Sequence, residues 1–318
     1  MSFDLIIPFV RPIAGFLEDP EISEILLNGA GHVFIERNGA LEEVAAPGLS
    51  EKSLQVAVRN IARLLGDDIS PEQPLLDARL PNGDRVAAVI PPCSLGGTVL
   101  AIRKFHGSLY SASELVRIGS LPPQMLELLR NAVESRQNIL ISGGAGTGKT
   151  TLLGALAAFI APEERIVIIE DTCELQIAAK NLVQLEARRA QGPIPAVTIR
   201  DLLKTTLRLR PDRILLGEVR GGEAFDLLQA LNTGHAGTLA TLHANSAVQA
   251  IARFTTCVLQ AGVELPYRAI RSNIAEAVNL LVHIERRHGK RLVREVYSIR
   301  GYDPAGDRYE LEALYERS

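Results

Sequence analysis

The chain has 318 residues, 47% hydrophobic and 22% charged, with a net charge of −3. That length suits two domains with buried cores, and the charge balance excludes a broad electrostatic attraction to nucleic acid or anionic lipid. Cys93, Cys173 and Cys257 are odd in number and too far apart for a metal motif, which fits a reducing cytoplasm better than a disulfide framework. No apolar run approaches the roughly 20 residues of a bilayer span. Residues 5–17 are apolar but carry Pro8, Arg11 and Pro12, and read as an N-terminal packing helix rather than a membrane-touching segment.

Residues 22–27 and 32–36 read as strands, with turns at Asn28-Gly29 and Asn38-Gly39. Ser50 is placed to cap a helix in which Leu54, Val58, Ile61 and Leu65 share a face and Gly66 ends the run. Three more strands follow at 77–80, 85–90 and 99–103, separated by Pro81-Asn82-Gly83 and Pro91-Pro92. Residues 1–106 therefore read as an α+β domain. Arg85 and Arg103 stand on its strands among apolar neighbours. They are either salt-bridged face residues or guanidinium groups aimed at the phosphates of a nucleotide held by the second domain. Residues 107–121, rich in Gly and Ser and followed by Pro122-Pro123, read as a linker with a short helix around 114–116.

Beyond it, Gly143-Gly144-Ala145-Gly146-Thr147-Gly148-Lys149-Thr150, followed by Thr151, fits the phosphate-binding pattern Gly-x-x-x-x-Gly-Lys-Ser/Thr. The apolar run 139–141 before it suits a buried strand, and Leu152, Leu153, Leu156 and Phe159 after it keep helical spacing. A strand that turns through glycines into a helix aims backbone N–H groups and the positive helix end at one point, which favours an anion. Lys149 would reach the terminal phosphates, and the Thr150 hydroxyl would hold Mg²⁺.

Strands at 165–169, 182–185, 214–216, 280–284 and 292–299 then accompany helices at 198–209, 223–231, 246–259 and 267–276. This alternation of strands and helices predicts a mostly parallel sheet covered by helices. Glu170 and Asp171 follow one strand and Glu218 another. Carboxylates at the carboxyl ends of parallel strands lie where open α/β sheets bind ligands. Each is either an ordinary loop carboxylate or a group that holds Mg²⁺ through water or polarises an attacking water. His235 and His243 bracket a Gly- and Thr-rich stretch without further ligands at metal-site spacing, which favours a phosphate-contacting or sensing role. Arg286-Arg287 and Lys290-Arg291, around His288-Gly289, read as a solvated hairpin tip.

Four stretches together resemble the secretion ATPase superfamily of type II and type IV systems. They are the Walker A loop at 143–150, the Asp box at 168–175, the Walker B segment at 209–221, and the His box from Thr233-Gly234-His235 to His243-Ala244-Asn245. The step from His235 to His243 and Arg210-Pro211-Asp212-Arg213 are similar to the branch serving conjugation, type IV secretion and Tad/Flp pilus assembly. The compact N-terminal domain leans toward a Trb-type conjugal-transfer ATPase. The resemblance implies an α/β fold, with a RecA-like P-loop NTPase domain at 122–318 beside the smaller α+β domain. It implies ATP and Mg²⁺ as cofactors and a homohexameric ring. Its partners would be inner-membrane components of a secretion, conjugation or pilus machine, and direct sequence-specific nucleic-acid binding is not expected. The location it implies is cytoplasmic, peripheral to the inner membrane.

For the residues, the resemblance implies that Lys149 neutralises phosphate charge and that Thr150 and Asp171 serve the metal. Glu218 would activate water, Glu170 would support the water or metal, and His243 would read the terminal phosphate. Arg85 and Arg103 would approach the phosphates. The Walker B strand ends in Gly217-Glu218 rather than Asp-Glu, as is usual in this superfamily, which shifts Mg²⁺ contacts toward Thr150 and the acidic stretch. A RecA-like nucleic-acid translocase, such as a helicase, would need a basic or aromatic-rich groove. The net acidity and 4% aromatic content argue against it. A non-catalytic scaffold would need a damaged loop lysine or a missing carboxylate, and neither is seen.

Overall fold

In the computed structural model, which describes residues 7–37, 39–80, 82–104, 110–190, 194–287 and 289–317, the chain divides into two units, Met1–Gly107 and Ser108–Ser318. Parts of four expectations lie outside the described residues: the start of the 5–17 segment, the turn residues Asn38 and Pro81, linker residues 107–109, and His288 at the hairpin tip.

The first unit opens with the short helices α1 (Ile7–Val10) and α2 (Ala14–Glu18), then β1 (Ile22–Asn28), β2 (Val33–Arg37), β3 (Ala40–Val44) and α3 (Glu51–Leu64). It closes with β4 (Leu75–Arg79), β5 (Arg85–Val89) and β6 (Val99–Arg103). The six strands form one antiparallel sheet in the order β3-β2-β1-β6-β5-β4. Alternate strand residues, among them Ile25, Leu27, Ile35, Val86 and Leu100, pack against the Leu54, Val58 and Ile61 face of α3. Ser50 caps that helix in a reciprocal pair with Ser53.

The second unit begins with α4 (Ala112–Arg117) and α5 (Pro123–Glu134), followed by β7 (Ile139–Gly143), α6 (Lys149–Ala157), β8 (Ile166–Glu170) and β9 (Leu182–Glu186). Next come α7 (Ile199–Thr206), β10 (Arg213–Val219), α8 (Glu223–Asn232), β11 (Leu239–Leu242), α9 (Ala247–Leu259) and α10 (Tyr267–Ala277). The antiparallel strands β12 (Leu280–Arg287), β13 (Lys290–Asp303) and β14 (Arg308–Glu316) complete it. Sheet order is β14-β13-β12-β7-β11-β10-β8-β9, parallel from β12 through β9. Successive residues of the central strands enter opposite cores. Leu140, Val167, Ile214 and Ala240 pack with α8 and α9, whereas Ile139, Ile141, Ile168 and Leu215 pack with α5 and α6. Helices thus cover both faces of a parallel sheet, as such sheets require. Ala112 and Leu115 of α4 are buried in the second of these cores, so this part of the 107–121 segment packs within the second unit.

The amino ends of the strands are braced by a buried polar network. Arg213, 2% exposed, donates from Nε and Nη2 to the two oxygens of Glu164 at 2.7 and 3.0 Å, and from Nη2 to the Val133 carbonyl at 2.9 Å. Arg136 adds a 2.6 Å contact to the same Glu164. Nearby, Asn138 accepts from the N–H groups of Gly237 and Thr238 at 2.8 and 3.0 Å and donates to the Ala277 carbonyl at 2.7 Å.

Candidate nucleotide site

At the opposite, carboxyl end of the sheet, β7 is buried along its whole length and releases the chain into the 144–148 loop. Gly148, the residue before α6, has φ +93°, a left-handed backbone that a side chain would strain. Lys149, Thr150 and Thr151 form the first turn of α6. The Lys149 ammonium donates to the Gly143 and Gly144 carbonyls at 3.2 and 2.9 Å and lies 3.4 Å from His243 Nδ1. Burial lowers its pKa, opposed by the charge of Glu218. Thr147 Oγ1 closes the loop by donating to Gly144 O at 3.0 Å. Arg291 Nε donates to the Gly146 carbonyl at 3.0 Å. The expected solvated hairpin tip is present between β12 and β13, and its exposed Arg291 also braces the loop.

β10 continues through Glu218 to Val219, so this carboxylate stands inside the strand rather than after it. Glu218 Oε2 accepts from Arg220 Nη2 at 2.7 Å. Its Oε1 lies 2.8 Å from His243 Nε2 but is not aligned with the ring N–H, and it is a buried oxygen without a hydrogen-bond donor. The other arm of Arg220, Nη1, donates to Asp171 Oδ2 at 2.7 Å. Asp171, Arg220, Glu218, His243 and Lys149 thus form a continuous polar chain. It crosses the ends of β8, β10, β11 and β7, which are consecutive neighbours in the sheet. An Nδ1 that faces an ammonium accepts, which places the neutral ring's proton on Nε2, beside Glu218.

Glu170 ends β8, the strand end expected for it, and is buried there. It is 3% exposed, and its Oε1 accepts from the Glu174 and Leu175 N–H groups at 3.0 and 3.1 Å. Burial pushes its carboxyl up to about 7 against the effect of those N–H groups. A Cβ at Gly217 would lie 2.7 Å from Glu170 Cγ, so glycine at that position makes room for the buried carboxyl on the neighbouring strand. Thr241 Oγ1 donates to the Gly217 carbonyl at 2.5 Å and joins β11 to β10 beside it.

Three candidates make no contact in this row of side chains. His235 precedes β11, at the end opposite His243, with Nδ1 3.2 Å from the Ala230 carbonyl. The shared phosphate role expected for the two histidines is corrected accordingly, because a full strand separates them. Arg85 and Arg103 face each other across β5 and β6 in the first unit. There Arg85 Nη2 lies 3.7 Å from Asp77 Oδ1 and Arg103 Nε 3.4 Å from Glu24 Oε1. Arg220 and Arg291 join the site without a local sequence signal for it. Their partners are 49 and 145 residues distant, beyond the reach of any local pattern.

Among the described residues no group of three or more His, Cys, Asp or Glu could hold a metal ion. A single hydroxyl at Thr150 therefore fits Mg²⁺ that arrives with phosphate oxygens and keeps water, not a dedicated protein cage.

The sequence profile described as "Type II/IV secretion system protein" matches residues 10–301. The chain belongs to this family. It is 40% identical to the conjugal transfer protein TrbB of Rhizobium radiobacter, covering 90% of this chain and 86% of that one. It is 32% identical to the type IV secretion system protein VirB11 of Bartonella quintana, covering 94% and 93%. Among solved structures, the VirB11 ATPase of the Brucella suis type IV secretion system, in complex with sulphate, aligns with TM-score 0.50 and 34% identity over 92% of this chain and 94% of that one. The pilus retraction motor PilT with bound ADP aligns with TM-score 0.62 and 21% identity over 96% and 83%, a likeness of fold. The second unit is thus the RecA-like ATPase core of a secretion ATPase, and the nucleic-acid translocase reading is set aside.

Proposed function

We propose that this secretion ATPase works as a homohexameric ring at the cytoplasmic side of the inner membrane, driving a conjugative or type IV secretion machine through its membrane components. The names of its relatives favour such a machine over Tad/Flp pilus assembly. Among the described residues no helix is long and apolar enough to cross a membrane, and attachment through partner proteins is consistent with that.

One observation supports the chemistry above the others: a buried carboxylate oxygen, Glu218 Oε1, lies 2.8 Å from His243 Nε2 in a direct line of side chains from the loop lysine. In the proposed reaction the loop N–H groups and Lys149 bind the phosphates of ATP, with Lys149 exchanging its bonds to the Gly143 and Gly144 carbonyls for phosphate oxygens. Thr150 supplies the protein's ligand to Mg²⁺, which neutralises charge on the phosphates. Glu218 Oε1 accepts the proton of the attacking water. His243, between Lys149 and Glu218, registers the terminal phosphate through the lysine. Glu170, tied to the 174–175 backbone, fixes the loop that carries Asp171. Arg85 and Arg103 contribute further positive charge toward the phosphates.

Lys149→Ala is expected to abolish hydrolysis in a folded protein. Glu218→Gln is expected to retain ATP binding and lose roughly 10²–10⁴ in turnover, the range for a missing general base. Steady-state phosphate release with parallel fluorescent-nucleotide titration checks both. Normal turnover in the first, or lost Mg-ATP binding in the second, overturns the assignment.

A further inference from the structure

We infer that Arg220 is a positioning residue for hydrolysis, holding Glu218 by Oε2 so that the buried Oε1 stays directed at His243 in the line to the loop lysine, and that Asp171 serves as the anchor of this arginine. The inference rests on Glu218 as the base. A carboxylate can turn either oxygen toward a substrate, and swinging the group displaces its reactive lone pair. Here the guanidinium fork occupies one oxygen, and the other faces His243 Nε2 at 2.8 Å. The fork cannot follow a swing of Glu218, because its second arm holds Asp171 at the end of the neighbouring strand β8. The backbone beneath it is fixed as well. The N–H groups of Arg220 and Gly221 donate to Glu223 Oε1, at 2.5 and 2.8 Å, at the start of α8.

Exposure differs along the bridge. The Glu218 side chain is 16% exposed against 54% for Arg220, so the pair is strongest on the carboxylate side, where water is scarce. A planar fork suits this bridge in a way an ammonium does not, since one nitrogen must serve each carboxylate in fixed directions. Asp171 Oδ2 is thereby engaged by a cation, which assigns this carboxylate to the arginine and leaves the metal to Thr150.

The test uses the full chain, with kcat and KM for ATP measured beside fluorescent-nucleotide binding and thermal melting. Arg220→Ala is expected to lower kcat by about 10²-fold, the scale of a misplaced catalytic group, with KM little changed. Arg220→Lys should melt like the parent and recover only part of kcat. Asp171→Asn should follow Arg220→Ala without raising the Mg²⁺ concentration needed for half-maximal rate. The double variant Glu218→Gln with Arg220→Ala should be no slower than Glu218→Gln alone, because the arginine acts through the carboxylate. Fully multiplicative losses would place Arg220 on the phosphates and overturn the inference. So would a raised Mg²⁺ requirement in Asp171→Asn, or full kcat in Arg220→Ala while Glu218→Gln is slow. Full turnover in Glu218→Gln would remove the base assignment itself, and this inference with it.

Discussion

Burial holds the Glu170 carboxyl near 7, against a usual 4.5, and that shift is a statement about stability. Between these values the native chain keeps a proton that the unfolded chain has released, so stability falls as pH rises across this window and levels off above it. A shift of this size corresponds to roughly 3 kcal/mol. Glu170→Gln retains an oxygen for the Glu174 and Leu175 N–H groups, and is expected to flatten the fall in melting temperature between pH 5 and pH 8. An unchanged slope would assign the titration to another group. The identity of Glu170 and its place at the carboxyl end of a strand were legible in the sequence, but its burial was not. That burial depends on the missing side chain of Gly217, on a strand 47 or so residues later in the sequence, and on two N–H groups that close over it. Lys149 and Thr150 were legible because a phosphate loop is written in consecutive residues.

Strands with one unbroken apolar run, such as β7, β8 and β10, could be read directly, since both faces are buried. β3 and β14 could not. They are edge strands, exposed along most of their residues, and carry glutamates where alternation would be sought. β11 is only four residues long and follows a glycine-rich turn. α5 is hidden in the sequence because Pro122-Pro123 reads as the end of a linker, whereas proline is well suited to the first turn of a helix. Apolar pattern also gave no warning of Arg213, buried at the first position of β10. Its removal would leave Glu164 with the partly exposed Arg136 alone. Arg213→Ala is therefore expected to cost roughly 3–5 kcal/mol, as for other broken buried pairs. Urea unfolding of the full chain measures it, and a loss below about 1 kcal/mol would mean that the network adds little.

At the scale of the whole molecule, the four sequence blocks all map to the second unit, and all four meet in one row of side chains although they are separated along the chain. Parallel strands achieve this, because each crossover returns the next carboxyl end to the same edge. The proposed ring is checked by sedimentation with Mg²⁺ and a non-hydrolysable ATP analogue, where a species several times the 34.4 kDa chain is expected. In the same experiment Arg85→Ala and Arg103→Ala should assemble like the parent and hydrolyse ATP more slowly. Parent-like rates in both would confine these arginines to their pairs with Asp77 and Glu24. The braced amino ends of the strands have a mechanical consequence. Arg213 and Asn138 clamp that edge with buried bonds, whereas at the carboxyl edge the outer row, beyond the buried Thr241–Gly217 bond, runs through a half-exposed arginine and a half-exposed histidine. Local opening is cheapest where bonds are few and wet. The sheet is thus stiff at one rim and compliant at the other, and a ligand that swaps partners along the compliant rim works against a fixed base, as a spring works against a clamped end.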